Sequence, residues 1–216
     1  MKLKHIIIIV LALLSVVIAF LIYRSIMAPV KFENLRKSKE EIIVKKMKDI
    51  REVELAFKSV HQHFTSDFDS LSAFLSDGKL PTVIKSGEIP DTMTERQALK
   101  LGLITRDTVY QNAFDVLSKK FLSHITNRND FVRNLAFIPT TNRTESFILN
   151  AGFIERSGLK VPVVECRAEV DQYIKDENAN TIQLLRNYKK LQEDINKFPG
   201  LKFGSMFEAA TDGNWE

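Results

Sequence analysis

The hydrophobic pattern divides the chain into three stretches. Ile6 to Tyr23, IIIIVLALLSVVIAFLIY, is an 18-residue run in which only Ser15 and the tip of Tyr23 are polar. At about 1.5 Å per residue a helix of that length measures about 27 Å, close to the hydrocarbon thickness of a bilayer. A core helix of a globular protein carries a polar stripe, and this run has none. It predicts a membrane helix within residues 1–28, with Ile6, Leu13, Phe20 and Tyr23 along the span.

The second stretch has helical periodicity. Ile43, Ile50, Phe57, Phe64 and Leu71 recur at seven-residue intervals, with Val53, Val60 and Phe74 three positions further on. This predicts a long, coiled-coil-like helical stalk over 29–78, ended by Gly78 and Pro81. Its helix-pairing seam is Ile43, Ile50, Val53, Phe57, Val60, Phe64 and Leu71. Lys46 and Asp67 interrupt the seam. The stripe is broader than a strict two-position seam, so packing onto the chain's own C-terminal part is a second explanation.

Residues 79–216 read as a small domain with an antiparallel sheet and helices, which makes the whole chain α+β. LPTVIKSGEIP is extended. Asp91 or Thr92 is placed to cap a short helix through TERQALKLG. Thr105–Tyr110 reads as a strand and Ala113–His124 as a helix. FVRNLAFIP, residues 131–139, reads as another strand. Phe147–Ile154 and Val161–Ala168 alternate around Arg156-Ser157-Gly158, which is a β-hairpin. Pro162 cannot donate to a ladder, so its strand should have an edge there. Asn178–Lys197 has helical spacing. The last segment, with Phe203, Phe207 and Trp215, is too apolar for a free tail and should dock on the domain.

Composition narrows the function. With 44% hydrophobic and 27% charged residues the chain is not wholly disordered. One cysteine, Cys166, excludes a disulfide framework or a cysteine-built metal cage within one chain, and also a lipoprotein anchor. Of the net charge of +4, Lys2 and Lys4 precede the apolar run. Arg24 to Lys48 carries eight basic and three acidic residues, with too few interleaved aromatics for a nucleic-acid site. Those bases can face lipid headgroups, or form a solvated face in which Glu40 and Glu41 pair with Lys37, Lys45 and Lys48.

Lys2 and Lys4 also suit a signal peptide, but no small-x-small cleavage site follows, so a retained signal anchor is the expectation. No prepilin-type glycine precedes the run. The basic N-terminus favours a periplasmic bulk. The bases after the run favour the opposite orientation.

Candidate chemistry is sparse. His61 and His63, and Asp67 and Asp69, are each two apart, which on a helix separates their side chains. Cys166 sits in a strand pattern with Val164 and Ala168 and reads as a buried, inert thiol. Asn142-Arg143-Thr144 matches a glycosylation sequon. No phosphate loop, HExxH or GxSxG is present. No catalytic, cofactor-binding or metal-binding residue is assigned, and no enzyme is expected.

The runs IREVELAFKSVHQHFTSDFDSL, EIPDTMTERQALKLGLITRDT, GLKVPVVECRA and FPGLKFGSMFEAATDGNWE resemble single-pass membrane proteins of Bacteroidota-type bacteria. The resemblance implies a bacterial source and carries no mechanism. In architecture alone the plan is similar to the inner-membrane assembly-platform proteins of type IV pilus and type II secretion systems. The expectation is a non-enzymatic scaffold or assembly component of an envelope machine, single-pass in the inner membrane with its bulk periplasmic. Its partners would be the lipid bilayer and, through the stalk, a second copy or another envelope protein, with no nucleic acid. The alternative is a membrane-tethered ligand-binding or sensory module, with a small ligand between the sheet and its helices.

Overall fold

A 60-residue helix, α1 (Lys2–His61), carries the apolar run and continues without a break into the rest of the molecule. At about 1.5 Å per residue it is about 90 Å long. The computed structural model describes residues 2–88, 90, 93–175 and 178–216. After α1 come α2 (Phe68–Asp77), β1 (Lys79–Gly87), α3 (Glu95–Lys100), β2 (Ile104–Asn112), α4 (Ala113–Lys120) and α5 (Arg128–Arg133). A 3-10 turn at Pro139–Thr141 leads to β3 (Ile148–Arg156), β4 (Leu159–Glu169), α6 (Val170–Tyr173), α7 (Ala179–Asp194) and β5 (Gly200–Gly204). The chain is therefore α+β, with a long apolar N-terminal helix and two small antiparallel sheets.

The second half of α1 is the spine of the head. Ile43, Met47, Ile50, Glu54 and Phe57 follow one another at steps of four and three, so they lie on one stripe of the helix. All five are buried. They belong to one core with Leu71 and Phe74 of α2, Phe114 and Leu117 of α4, Cys166 of β4 and Phe203 of β5, Glu54 being the polar exception. The core thus draws on residues both before and after position 78.

The stalk is two helices rather than one. Gln62 turns the chain with a positive φ of 65°, and α2 starts after Asp67. The Asp67 carboxylate accepts the Asp69 and Ser70 amides at 3.1 and 2.9 Å. Asp67 is therefore a helix cap and not an interruption of a seam.

The three-stranded sheet has the order β3-β4-β5, all antiparallel. Its hairpin closes through Ser157 and Gly158, both at positive φ (52° and 77°), the conformation that suits a tight two-residue connection. β5 pairs only with Glu165–Glu169, so β4 has a free edge at Pro162, as the sequence demands. The third strand is β5 and not 131–139. Asn127 accepts the Asp130 amide at 3.1 Å and starts α5, which takes Phe131 into a helix. The tail docks as expected, with Arg51 of α1 holding Glu216 at 2.7 Å. The expected cap at Asp91 or Thr92 lies outside the described residues; α3 follows Thr94, whose amide donates to Gln97 Oε1 at 3.0 Å.

Candidate functional site

β1 and β2 form an arm. They pair with each other over nine residues and with no other strand. At about 3.4 Å per residue the ribbon is about 30 Å long. Its root is fixed by bonds to the last carbonyls of α2, which have no helical donors of their own. The Asn112 amide donates to the Ser76 carbonyl at 3.0 Å. The Arg128 guanidinium of α5 holds the same end of α2, donating to the Leu75 carbonyl at 2.8 Å and also to that of Ser76. At the far end α3 folds back on β2, burying Ala98 and Ile104, with Arg106 bonded to Glu95 at 2.5 Å.

The ribbon between root and tip is wet on both faces. Pro81 faces Tyr110 across the strands, with Val83 one diagonal further, and these three share one face. Ile84 and Val109 share the other. Tyr110 is 66% exposed and Val83 56%, and Leu101 beside the tip reaches 63%. A two-stranded ribbon is marginal in water unless a face is covered. Among the described residues neither strand pairs with a third, so the outer edges are open to strand addition.

A second feature is a cleft of about 510 Å³ between α1, α7 and β5. Its polar wall begins with Arg36. The guanidinium bonds Glu33 at 2.6 Å and Glu40 at 2.5 Å, and lies 4.8 Å over the Tyr188 ring. Burial works against the Arg36 charge, but the bonds to Glu33 and Glu40 outweigh it and hold the group more basic than usual. Tyr173 donates to Glu40 at 2.9 Å, and burial, then the Glu40 charge, push its phenol up. Lys197, Lys202 and Trp215 line the opposite side. The indole lies against Gly213, where a Cβ would come within 2.3 Å of the ring. Gly213→Val is therefore expected to displace the only tryptophan and to shift its emission to longer wavelength. Unchanged emission would mean that the ring is not held there.

The positions expected from the sequence are distributed as follows. Ile6, Leu13, Phe20 and Tyr23 are exposed, and none of the most apolar window of α1 is buried in the protein. That helix is long and apolar enough to cross a membrane. Of the seam residues, Ile43, Ile50, Val53, Phe57, Phe64 and Leu71 are buried against the chain's own core, while Val60 is 38% exposed. Helices of the same chain cover that face: the Phe57 ring meets Phe74 of α2 with centres 5.4 Å apart, and Leu71 is itself in α2. His61 stacks on Phe57 with ring centres 4.2 Å apart. Cys166 is fully buried, and burial first of all pushes its thiol pKa up. Among the described residues no group of three His, Cys, Asp or Glu side chains could hold a metal.

Glu54 escaped the sequence pattern, and Lys46 was visible in it only as an interruption of the seam. Glu54 is 0% exposed, with Oε1 unpartnered and Oε2 accepting only the Thr65 amide at 3.3 Å; burial raises its pKa to about 8. The signal was its place four residues after Ile50, on the apolar stripe. Lys46 lies 4.0 Å over the Phe131 ring, and burial lowers its pKa to about 8. Comparison with family models, curated proteins and solved structures gives no match to this chain.

Proposed function

We propose that the protein is a non-enzymatic, membrane-anchored docking scaffold of a bacterial envelope. Its N-terminal helix spans the inner membrane once, and its head stands on the periplasmic side. The β1–β2 arm, rather than the stalk, takes the protein partner, which is a second copy or another envelope protein. The supporting observation is the pair of uncovered apolar faces on the ribbon, at Val83 with Tyr110 and at Ile84 with Val109. A partner strand added to an edge, with side chains covering one face, would complete a sheet that is marginal by itself.

The test places a photocrosslinking residue at Tyr110 in the full chain, in membranes. One defined crosslinked band is expected, and it should disappear in Val83→Asp/Ile84→Asp while thermal unfolding of the head stays within about 0.5 kcal/mol, as for exposed positions. A band that persists in the double variant refutes the arm as the docking surface. The side of the membrane is read separately. Because Cys166 is buried, a cysteine at Tyr110 is the only accessible thiol. An impermeant maleimide added to cells with an opened outer membrane should label it. Labelling only after lysis of the inner membrane reverses the orientation.

The cleft supports a second reading, a membrane-tethered module that binds a small anion. Lys197 and Lys202 line it opposite the Arg36 cluster, and neither forms an ion pair among the described residues. Trp215 would report such binding by its fluorescence.

A further inference from the structure

α1 and α7 meet where the apolar run ends. A cleft of about 410 Å³ lies between Leu21, Arg24 and Pro29 of α1 and Gln183 and Leu184 of α7. An adjoining cleft of about 270 Å³ shares Ala28 and Leu184 with it and continues to Lys31 and Leu35. Together they form one groove along α1, about 21 Å from Leu21 to Leu35.

Four properties of this groove coincide. Its wall is apolar at Leu21, Ala28, Phe32 and Leu184. Among the described residues its charges are all positive, since Arg24 and Lys31 line it and no described acidic residue does. Those two bases are seven residues apart, so they share a helix face, and neither has an ion-pair partner among the described residues. Pro29, inside the helix, has no N–H, so the Ser25 carbonyl four residues earlier lacks its helical donor.

Height is the fourth property. Tyr23 ends the apolar run. The headgroup layer of a bilayer adds about 5–7 Å beyond the hydrocarbon, or about three to five helical residues. That layer covers Arg24 to Ala28, the lower half of the groove. Leu21 at the hydrocarbon end, Arg24 at headgroup level and Lys31 about two turns above it match the acyl chain and the phosphate of one phospholipid in both charge and depth.

We propose that this groove holds one anionic phospholipid of the surrounding leaflet, of the phosphatidylglycerol type. Its phosphate lies between Arg24 and Lys31, and a headgroup hydroxyl donates to the Ser25 carbonyl. An acyl chain follows Leu21 into the bilayer. The bound lipid seals the lower seam between α1 and α7 and sets the head on the membrane surface. This proposal rests on the reading of α1 as a membrane anchor.

The test uses the full chain in nanodiscs of mixed phosphatidylcholine and phosphatidylglycerol, extracted in mild detergent and weighed by native mass spectrometry. One retained phosphatidylglycerol per chain is expected. In Arg24→Gln/Lys31→Gln its retention should fall about thirtyfold, as for two basic residues facing an anionic surface. Ala28→Trp, which fills the groove without changing charge, should also lose it. Lys2→Gln/Lys4→Gln, at the other end of the span, should keep it. Equal retention in the groove variants, or retention of phosphatidylcholine in proportion to its abundance, overturns the proposal. Flotation with vesicles separates the two levels of failure. A chain that floats but retains no lipid removes the groove alone, whereas a chain that does not float removes the anchor and the groove together.

Discussion

Ile50→Ala is expected to destabilise the head by about 2–5 kcal/mol, the usual cost of emptying a core position. Ile50 is 0% exposed and lies in the same core as Leu71, Cys166 and Phe203. The loss should appear in urea unfolding of the full chain in detergent, followed by Trp215 emission. It should not depend on protein concentration, because the partners of Ile50 belong to its own chain. Ile42 provides the contrast. It precedes Ile43 in sequence but lies about 100° round the helix and is 50% exposed, and Ile42→Ala should cost no more than about 0.5 kcal/mol. A seam that paired two chains would behave differently, with a midpoint for Ile50→Ala that rises with concentration. That result would restore the stalk as the pairing element.

Glu54→Gln is expected to stabilise the head at pH 8 and to flatten its response to pH. The ordinary carboxyl value is 4.5, and burial brings Glu54 to about 8 in the folded protein. Below 4.5 the group is neutral in both states, so it imposes no penalty. Between 4.5 and about 8 the unfolded chain releases the proton while the folded one keeps it. Stability is therefore fully present at low pH and lost as pH rises through the folded value, by a few kcal/mol at order of magnitude. Asp49 is also raised by burial and acts in the same direction, but it is present in both proteins, and the other two buried groups do not share this window. Cys166 keeps its proton beyond it, because burial raises the thiol. Lys46 acts above its value of about 8 and with the opposite sign, since there the unfolded chain holds the extra proton. Urea midpoints of the native chain at pH 5, 6, 7 and 8 should fall steadily, and those of Glu54→Gln should fall distinctly less. The same slope in both proteins would place the titrating group elsewhere.

These two residues also show what the sequence could reveal. The seven-residue recurrence from Ile43 correctly marked a buried helix face, but burial against another chain and burial against one's own head leave the same imprint on periodicity. What distinguished them was Glu54, an acid on the stripe that a heptad reading passes over. The hairpin at 148–169 was legible because alternation and a Ser-Gly turn act within a few residues. The strand expected at 131–139 failed because a short apolar run fits a helix as well, and Asn127, four residues earlier, decides between them by capping. β5 was too short to alternate visibly, and its place beside β4 depends on pairing across more than thirty residues of chain. The arm's strands were visible as extended segments, but their isolation from the other sheet was not, because it is a matter of tertiary arrangement. The cleft and the lipid groove are likewise products of where α7 comes to lie against α1.

The unbroken course of α1 has a mechanical meaning. The same backbone that would sit in the bilayer is the centre of the head's core, and it runs from Tyr23 to Phe57 as one helix, in which Pro29 is the one residue without a helical N–H. An apolar helix adapts to membrane thickness by tilting. Phe57 stands about 50 Å beyond Tyr23, so a tilt of about 10° carries it sideways by about 9 Å. On the proposed reading of α1 as a membrane anchor, the chain is a lever with its short arm in lipid, and the reach of its ribbon would follow the thickness of the membrane.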